Sequence, residues 1–470
     1  MNRYLTTTLP YVNADPHIGF ALEIVQADAL ARVWRLQGHE VFFSTGTDEH
    51  GQKIFEAAEK AGKGVEAYVD HYAGEFKKLK EALALSNDTF IRTTNPAHIE
   101  AAQEIWRRCM ASGDIYKKSY EGQYCVGCEA FKTEKDVNEK GECVLHPNTP
   151  LVTLSEENYF FRFSKYQNTL LEYLSRKDSI IPDWRRLEAI EFVQNGLEDF
   201  SISRSKEKLS WGVPVPDDDA QVMYVWFDAL TNYISTLGWP QGDFNKFWNE
   251  GKTVQVAGKD QVRFQSLMWQ AMLMSASLKN TDHVFYHGFI TSGGHKMSKS
   301  IGNVISPYEL VDKYGTDATR YLLLRHVHPF EDSDVTWERL DEWYTANLVN
   351  GLGNLVARVM KLAETHLEGP VTGTPFLPEK YEALERFVFN EALDSVWNHI
   401  QTVDERITRE EPFKLVKEDR EAGKTLIASL VAEVRHIGET LAPYMPDTSA
   451  TIIAAVSTNT KPENLFPRLT

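Results

Sequence analysis

The sequence predicts an α/β fold with a parallel sheet, followed by an all-helical region. Three observations support this fold class. Residues 3–51 read as strand, helix and strand with short connections, which is the pattern of a right-handed βαβ unit. The pattern resumes at residues 222–226 and 253–258 after a long interruption. From about residue 345 onward, apolar residues recur almost entirely at helical spacing, so we expect a C-terminal helical bundle.

The elements of the first βαβ unit follow from its local composition. Residues 3–12 are rich in Thr, Tyr, Leu and Val and therefore predict a strand. Residues 17–37 carry apolar side chains at helical spacing, and Gly38 is a suitable C-terminal cap. Residues 41–43 predict a second buried strand. Because ligands of parallel sheets bind beyond the carboxyl ends of the strands, we expect a site immediately after these two strands.

Two motifs indicate that this site binds a nucleotide. His17 and Gly19 open the predicted helix, whose N-terminus offers N–H groups and a positive dipole end to phosphate. Far downstream, Lys-Met-Ser-Lys-Ser occupies residues 296–300 and has glycines on both sides. Its two lysines, Lys296 and Lys299, would form a movable cationic clamp. A lysine-rich loop alone is more often only solvated charge, but the two motifs together indicate chemistry at nucleotide phosphates.

A cysteine cluster lies in the interruption, within residues 113–220. Cys125 and Cys128 form one short knuckle, and Cys143 and His146 form a second one after 14 intervening residues. Two such knuckles provide tetrahedral Cys3His coordination with no spare position. We therefore predict one structural Zn²⁺ per chain.

Composition bounds the class of protein. Fifty basic and 67 acidic residues give a net charge of −17, which argues against a protein that coats nucleic acid non-specifically. It leaves open a nucleic-acid substrate held by local basic patches. We predict no membrane span, because the sequence has no run of about 20 apolar residues. The N-terminus enters a strand pattern directly, so we expect a cytoplasmic protein. The sequence stops soon after Arg468 with no appended domain, so we expect a monomer.

Taken together, these blocks resemble the class I aminoacyl-tRNA synthetases and, within them, the methionyl-tRNA synthetases. The resemblance runs nearly end to end and in the family's order. The segment Gly-Thr-Asp-Glu-His-Gly at residues 46–51 and the single cysteine knuckle point to the methionyl branch. Other segments that match the family lie at residues 9–13, 157–161, 201–204, 226–229, 258–260 and 466–468.

The resemblance implies a reaction and a domain organisation. Methionine would be activated by ATP to methionyl-adenylate and pyrophosphate, with Mg²⁺ accompanying ATP, and methionine would then be transferred to the 3′ end of tRNA(Met). The implied fold is a class I Rossmann-type catalytic domain with an inserted zinc-knuckle connective domain and a C-terminal all-α anticodon-binding bundle. The expected boundaries are 1–112 and 222–290 for the two catalytic halves, 113–221 for the insert, 291–345 for the KMSKS loop and stem-contact region, and 346–470 for the bundle.

The resemblance also assigns roles to individual residues. Those expected to act in catalysis are His17, Lys296, Lys299 and Arg204. Those expected to bind ATP are His17, Gly19, Phe20, Gly258, Lys296, Ser298 and Lys299. Those expected to bind methionine are Leu9, Tyr11, Asp48, Trp226, Ala229, Tyr233, Asp260, Gln261 and Gln265. Those expected to read the anticodon are Asn354, Arg358 and Phe413.

The sequence departs from the family's pattern at several of these positions. Phe20 replaces the second histidine of the N-terminal signature, and loss of one transition-state donor can cost about 10²–10³ in rate. Gln265 stands where the family usually has histidine, and Gln261 where an apolar residue is common. Phe413 replaces the usual tryptophan. These departures leave two alternatives open: an inactive tRNA-binding paralogue, and a class I synthetase with altered amino-acid choice.

Overall fold

The computed structural model describes residues 1–128, 130–132, 136–147, 149–297, 302–371 and 381–469. The chain forms two compact units that alternate along the sequence. The first unit comprises residues 1–15, 40–78 and 87–287. The second comprises residues 16–39, 79–86 and 288–470.

The strands of the described part of the chain are short, apart from two long ones in the cysteine-containing region. They are β1 (Asn2–Thr6), β2 (Glu40–Thr47), β3 (Thr89–Arg92), β4 (Ile115–Cys125), β5 (Ala130–Lys132), β6 (Val152–Phe161), β7 (Ile180–Ile181), β8 (Phe200–Ser201), β9 (Ser203–Ser205), β10 (Pro214–Val215), β11 (Asp218–Met223), β12 (Lys252–Gly258), β13 (His283–His287), β14 (Ile290–Ser292), β15 (His295–Lys296) and β16 (Ser333–Asp334).

Helices separate the strands in the first half of the chain and dominate the second half. They are α1 (Ile18–Leu36), α2 (Gln52–Lys60), α3 (Val65–Ala82), α4 (Pro96–Ala111), α5 (Gln167–Ser175), α6 (Asp183–Gln194), α7 (Val225–Ala229), α8 (Asn232–Ser235), α9 (Trp269–Ser275), α10 (Pro307–Tyr314), α11 (Thr316–His326), α12 (Trp337–Trp343), α13 (Asn354–His366), α14 (Glu382–Glu385), α15 (Phe389–Glu410), α16 (Pro412–Glu418), α17 (Arg420–Leu441) and α18 (Pro446–Thr458). Turns of π-helix occupy Asn245–Asn249, Val262–Met268 and Tyr344–Gly353.

A six-stranded sheet in the order β3-β2-β1-β12-β13-β7 forms the centre of the first unit. Every neighbouring pair is parallel, so all six strands present their carboxyl ends at one edge. In the middle of the sheet Leu5 pairs with Val254, and both side chains are buried. Gly46 in β2 lies so close to β3 that an added Cβ would be 1.9 Å from the Ile91 carbonyl oxygen.

The two strand predictions after the interruption have different outcomes. Residues 253–258 lie within β12 and enter the parallel sheet, as predicted. Residues 222–226 do not enter it, so that prediction is wrong. There, β11 ends at Met223 and pairs antiparallel with β9, and α7 begins at Val225. The apolar run fits either sheet, because a buried strand carries no signal of its partner.

The cysteine-containing region of the first unit has its own antiparallel sheet, in the order β5-β4-β6-β8. Strands β4 and β6 pair over ten positions, from Ile115 with Phe161 to Tyr124 with Val152. This sheet carries Cys125 at the end of β4. The domain boundaries expected from the sequence stay a prediction.

The second unit is almost entirely helical, as the spacing of apolar residues from about residue 345 predicts. Helix α1, predicted for residues 17–37, begins at Ile18 and ends at Leu36, and Gly38 follows with a φ of +80°. In α17, buried side chains recur at helical spacing along one face: Leu426, Ile427, Leu430, Val431, Val434, Ile437 and Leu441.

A buried ionic network joins the helices of the second unit. The side chains of Asp28 in α1 and Arg320 in α11 are fully buried and lie 2.8 Å apart. Arg320 also donates to the carbonyl oxygens of Leu83, Pro443 and Tyr444. Asp28 in turn accepts from Arg32 at 2.7 Å. One guanidinium group therefore ties α1 to the turn between α17 and α18.

Candidate functional site

The segments that follow β1 and β2 run beside each other at the carboxyl edge of the parallel sheet. Asp48 donates its backbone N–H to the carbonyl of Pro10 at 3.0 Å, and Val12 donates to the carbonyl of Asp48. Tyr11 and Asp48 thereby form a parallel bridge. Asp48 is buried, whereas Leu9 and Tyr11 are half-buried. The structure thus brings together three of the residues predicted to bind methionine.

An aromatic cluster continues from Tyr11. The rings of Tyr11 and Trp226 have centroids 6.0 Å apart. Trp226 stacks on Phe264 with centroids 4.1 Å apart and an interplanar angle of 12°. Phe264 lies in the π-helical turn after β12, and the sequence analysis did not identify it. Stacked rings at a sheet edge provide a surface for an apolar or sulfur-containing side chain.

Tyr233 and Gln265, both predicted to bind methionine, contact each other directly. The Nε2 atom of Gln265 donates to the Tyr233 hydroxyl at 2.5 Å, and both residues are buried. The Oε1 atom of Gln265 is also buried and has no hydrogen-bond partner among the described residues. An acceptor left in this state is costly unless a donor reaches it. The glutamine at this position therefore leaves one buried acceptor next to the aromatic cluster.

The remaining residues predicted for methionine lie on neighbouring turns. Asp260 and Gln261 follow β12, and the Gln261 amide donates to the Asp260 carboxylate at 3.0 Å. Gly258 ends β12, where an added Cβ would lie 2.8 Å from Asp260 Oδ1. Ala229 ends α7 and is buried. Gly258 is the last residue of β12, Asp260 and Gln261 follow it, and Ala229 belongs to α7.

Arg204 is enclosed between two tyrosines of the first unit. Its guanidinium carbon lies 5.2 Å from the Tyr124 ring centroid and 4.9 Å from that of Tyr224. It also donates to the Ser203 carbonyl at 2.6 Å and to the Ser201 hydroxyl at 2.9 Å. Tyr124 precedes the metal-ligand candidate Cys125, so this arginine bridges the cysteine-containing sheet and the segment that leads into α7.

His17 caps the N-terminus of α1 in the second unit. Its Nδ1 atom accepts from the backbone N–H of Gly19 at 3.0 Å, so in this neutral ring the proton is on Nε2. His17 is exposed and can present that N–H to a ligand. An added Cβ on Gly19 would approach the His17 ring to 2.9 Å, so the ring would have to shift. Phe20 is buried.

Two glycines and an aspartate define the start of the loop that carries the lysine motif. Gly293 and Gly294 adopt φ values of +63° and +75°, which favour glycine. The Gly294 N–H donates to the Asp334 carboxylate at 2.7 Å, and this bond lowers the pKa of Asp334. Lys296 pairs through its backbone with Thr291. Ser298 and Lys299, predicted to bind ATP, lie outside the described residues.

The four predicted metal ligands converge at the end of β4. The Sγ atoms of Cys125, Cys128 and Cys143 and a ring nitrogen of His146 all lie within 4.8 Å of one another. The Cys128 sulfur is 3.1 Å from His146 Nδ1 and 3.5 Å from the Cys143 sulfur. Three soft sulfurs and one imidazole at these separations fit a tetrahedral metal ion such as Zn²⁺. This donor set can therefore hold one metal ion.

The predicted anticodon residues lie on the helices of the second unit. Asn354 begins α13 and is exposed. Arg358, one turn further along, donates to Asp404 at 2.6 Å. Phe413, in the short helix α16, has 42% of its surface exposed. Their role stays a prediction.

The sequence analysis missed the buried carboxylate of Asp228, which lies in the same helix as Trp226. Asp228 in α7 contacts the imidazole rings of His50 and His98. Asp228 and His50 lie in segments that match the family. The contact itself spans 178 positions and has no local sequence signal.

Comparisons with known proteins show that the chain is similar to class I tRNA synthetases. Residues 3–147 and 139–360 match the family model described as tRNA synthetases class I (M). The chain is 40% identical to the methionine–tRNA ligase of Thermotoga maritima, over 98% of this chain and 76% of that protein. It is 39% identical to the methionine–tRNA ligase of Rhizobium meliloti, over 97% of this chain and 92% of that protein.

A solved structure gives the same result. The Mycobacterium tuberculosis methionyl-tRNA synthetase in complex with methionyl-adenylate superposes with a TM-score of 0.90. The sequence identity is 35%, and the match covers 100% of this chain and 99% of that one. The chain therefore belongs to the methionyl-tRNA synthetase family of class I tRNA synthetases. Among the described residues, no helix is both long and apolar enough to cross a membrane.

Proposed function

We propose that this protein is a methionine–tRNA ligase. In the first step the carboxylate of L-methionine attacks the α-phosphorus of ATP, and pyrophosphate leaves. In the second step a ribose hydroxyl at the 3′ end of tRNA(Met) attacks the carbonyl carbon of the adenylate, and AMP leaves. The single observation that carries the proposal is the arrangement of Tyr11, Asp48 and Trp226 at the carboxyl edge of the sheet, in a chain of this family.

The methionine pocket we propose combines one charge with an aromatic wall. The Asp48 carboxylate is suited to bind the substrate ammonium group. The thioether would lie against Trp226 and Phe264, since sulfur–aromatic contacts contribute about 0.3–1.5 kcal/mol each. Tyr233 would form the wall on the far side of the pocket. The other residues proposed to line it are Leu9, Ala229, Asp260, Gln261 and Gln265.

We propose that charge stabilisation at the phosphates comes mainly from His17, Lys296 and Lys299. The exposed His17, with its proton on Nε2, is suited to donate to a phosphate oxygen. Lys296 and Lys299 would supply positive charge, and Mg²⁺ would accompany ATP. Displacement at phosphorus needs positioning and charge more than covalent help from the protein. The further residues proposed for ATP are Gly19, Phe20, Gly258 and Ser298, and Arg204 is proposed to act close by.

The Cys3His group is proposed to hold a structural Zn²⁺. All four ligand positions come from the protein, so this donor set leaves no open position for substrate. We further propose that Asn354, Arg358 and Phe413 contact the anticodon, with the exposed Phe413 ring available for stacking. A monomer located in the cytoplasm is the state we propose for the working enzyme.

ATP–pyrophosphate exchange on the purified protein tests the proposal. We expect exchange with methionine and none above background with leucine, isoleucine, cysteine or glutamine. Asp48→Asn should raise the methionine KM by about tenfold or more, because a charge-assisted hydrogen bond is lost. Exchange with none of the five amino acids, from folded protein, would favour an inactive paralogue.

The buried Oε1 atom of Gln265 supports a second candidate, a synthetase whose choice of amino acid is altered. An acceptor that has no donor among the described residues favours a side chain that carries an N–H or O–H group. Exchange with glutamine but not with methionine would establish this alternative. Gln265→His restores the usual residue of the family and serves as the matched variant. If the protein is a methionine–tRNA ligase, this variant should preserve exchange with methionine.

A further inference from the structure

A buried chain of hydrogen bonds joins segments that carry residues of the proposed methionine pocket. The Oδ2 atom of Asp228 lies 2.7 Å from His50 Nδ1, and its Oδ1 atom lies 2.7 Å from His98 Nε2. On its far side, His98 Nδ1 lies 2.8 Å from the Ser235 hydroxyl. Asp228 and His98 are fully buried, and His50 and Ser235 are at most 6% exposed. None of these four residues is among those proposed to contact substrate.

The first arm of this network holds the segment that carries Asp48. His50 lies two residues after Asp48, and its ring packs against Trp211 with centroids 5.5 Å apart. Trp211 donates its indole N–H to the Glu49 carbonyl at 2.6 Å. The bond from His50 to Asp228 therefore ties the end of β2 to α7.

The second arm holds the helices that carry the aromatic residues. Asp228 itself lies between Trp226 and Ala229 in α7. His98 comes from the first turn of α4, and Ser235 ends α8, two residues after Tyr233. One carboxylate thus connects the segment of Asp48, the helix of Trp226 and, through His98, the helix of Tyr233.

We propose that Asp228 is a positioning residue for the amino-acid pocket, whose two carboxylate oxygens bind His50 and His98 and so hold these three segments in one arrangement. The inference rests on the proposed function, because it concerns the methionine site. A carboxylate suits this task since it accepts two ring N–H groups from opposite sides. Carboxamide can accept from only one of them, unless the second ring changes its tautomer.

Burial alone would raise the pKa of Asp228. The electrostatic interaction with His50 and the hydrogen bonds to both rings outweigh burial, so the pKa of Asp228 lies below its usual value and the carboxylate stays ionised. A buried ion is normally expensive unless it is fully paired. Both oxygens of Asp228 are paired, so its buried charge is compensated and the pairing fixes the positions of His50 and His98.

Exchange kinetics of Asp228→Asn and Asp114→Asn provide the test. Asp114 is a matched control: its side chain is equally buried, and it accepts from Lys165, Tyr166 and Ser275. We expect Asp228→Asn to raise the methionine KM by tenfold or more, while the ATP KM changes less than threefold. Asp114→Asn should lower the melting temperature but leave the methionine KM within twofold. Equal methionine KM values in the two variants would overturn the inference.

His50 supplies a second pair of variants in case Asp228→Asn does not fold. His50→Gln keeps a donor within reach of Asp228, whereas His50→Leu removes it. We expect His50→Gln to recover most of the methionine affinity that His50→Leu loses, and identical affinities would overturn the inference. If the wild-type protein shows no exchange with methionine, the proposed function fails, and this inference fails with it. If the wild-type protein exchanges with methionine but the methionine KM is unchanged in the Asp228 and His50 variants, this inference fails and the proposed function stands.

Discussion

The carboxylate of Asp28 and the guanidinium of Arg320 form an ion pair whose side chains are both fully inaccessible to solvent. The pair does not stand alone, because Arg320 also donates to three backbone carbonyls. Removing one partner of such a buried pair leaves an uncompensated charge, whereas the intact pair is close to neutral in its effect on stability.

Arg320→Met should destabilise the second unit by about 3–5 kcal/mol, since Asp28 would keep a buried charge with fewer partners. Urea unfolding followed by circular dichroism measures the difference. Lys361→Met is the control, because Lys361 pairs with Glu364 on the surface and the change should cost less than about 1 kcal/mol. Equal destabilisation by the two changes would contradict the role given to Arg320.

The contribution that the ionised Asp28 carboxylate makes to stability should be lost in acid. Burial would raise its pKa, but the charges of Arg320 and Arg32 and the bond from Ser86 lower it below the usual value. A lowered folded-state pKa means that this contribution is present above the unfolded-state value of about 3.9 and is lost as pH falls through the folded-state value. The gap in unfolding free energy between wild type and Asp28→Asn should therefore narrow between pH 6 and about pH 3. Asp394→Asn changes a carboxylate that is 55% exposed in its pair with Arg325, and it should give a small gap at both pH values. A gap for Asp28→Asn that is independent of pH would contradict this account.

Metal removal should unfold the cysteine-containing region. Structural zinc in small knuckles contributes on the order of 10 kcal/mol of folding free energy. Among the described residues of 125–146, the buried apolar side chains are those of the ligand candidates Cys125 and Cys143. We expect one zinc per chain by metal analysis, and faster proteolysis near residues 125–146 after chelation. Cys109→Ala is the control. Cys109 is fully buried, and burial raises its pKa to about 12, so its loss should leave the zinc content unchanged. Refolded protein that takes up no zinc would refute the assignment.

Two glycines in the first unit should respond to alanine in opposite directions. At Gly46 the added Cβ would meet the Ile91 carbonyl oxygen at 1.9 Å, so β2 and β3 would have to separate. We expect Gly46→Ala to cost about 3 kcal/mol or more. Gly74 lies inside α3 with no atom near an added Cβ, so Gly74→Ala should stabilise by about 0.5–1 kcal/mol. Thermal unfolding of both variants measures the contrast, and a neutral Gly46→Ala would show that the strands can yield.

Local sequence signals predicted the parts of the fold that depend on local chemistry. Helix α1 and strand β12 are confirmed. The apolar spacing of each segment, and the glycine that follows α1, are local features of the sequence. The convergence of the four metal ligands is confirmed for a similar reason, since each knuckle places two of them only a few residues apart. These features need no knowledge of long-range pairing.

Features that depend on long-range pairing could not be predicted in this way. Residues 222–226 have the composition of a buried strand, yet Val222 and Met223 pair with β9 and not with the parallel sheet, and α7 begins at Val225. Phe264 stands in a π-helical turn, and only its stack on Trp226 reveals a place in the site. The His50–Asp228–His98 network joins three segments far apart in sequence. No periodicity within any one of them indicates the other two.

The alternation of the two units along the chain has a consequence for synthesis on the ribosome. Helix α1 belongs to the second unit, but most of that unit begins only at residue 288. At about 5–20 residues per second, roughly 12–50 s pass between the appearance of residue 39 and that of residue 288. During this interval the apolar residues of α1 and the Asp28 carboxylate have been synthesised, but their partner Arg320 has not. The order of synthesis therefore leaves the residues of α1 that are buried in the finished structure without their second-unit partners until the C-terminal part of the chain has been made.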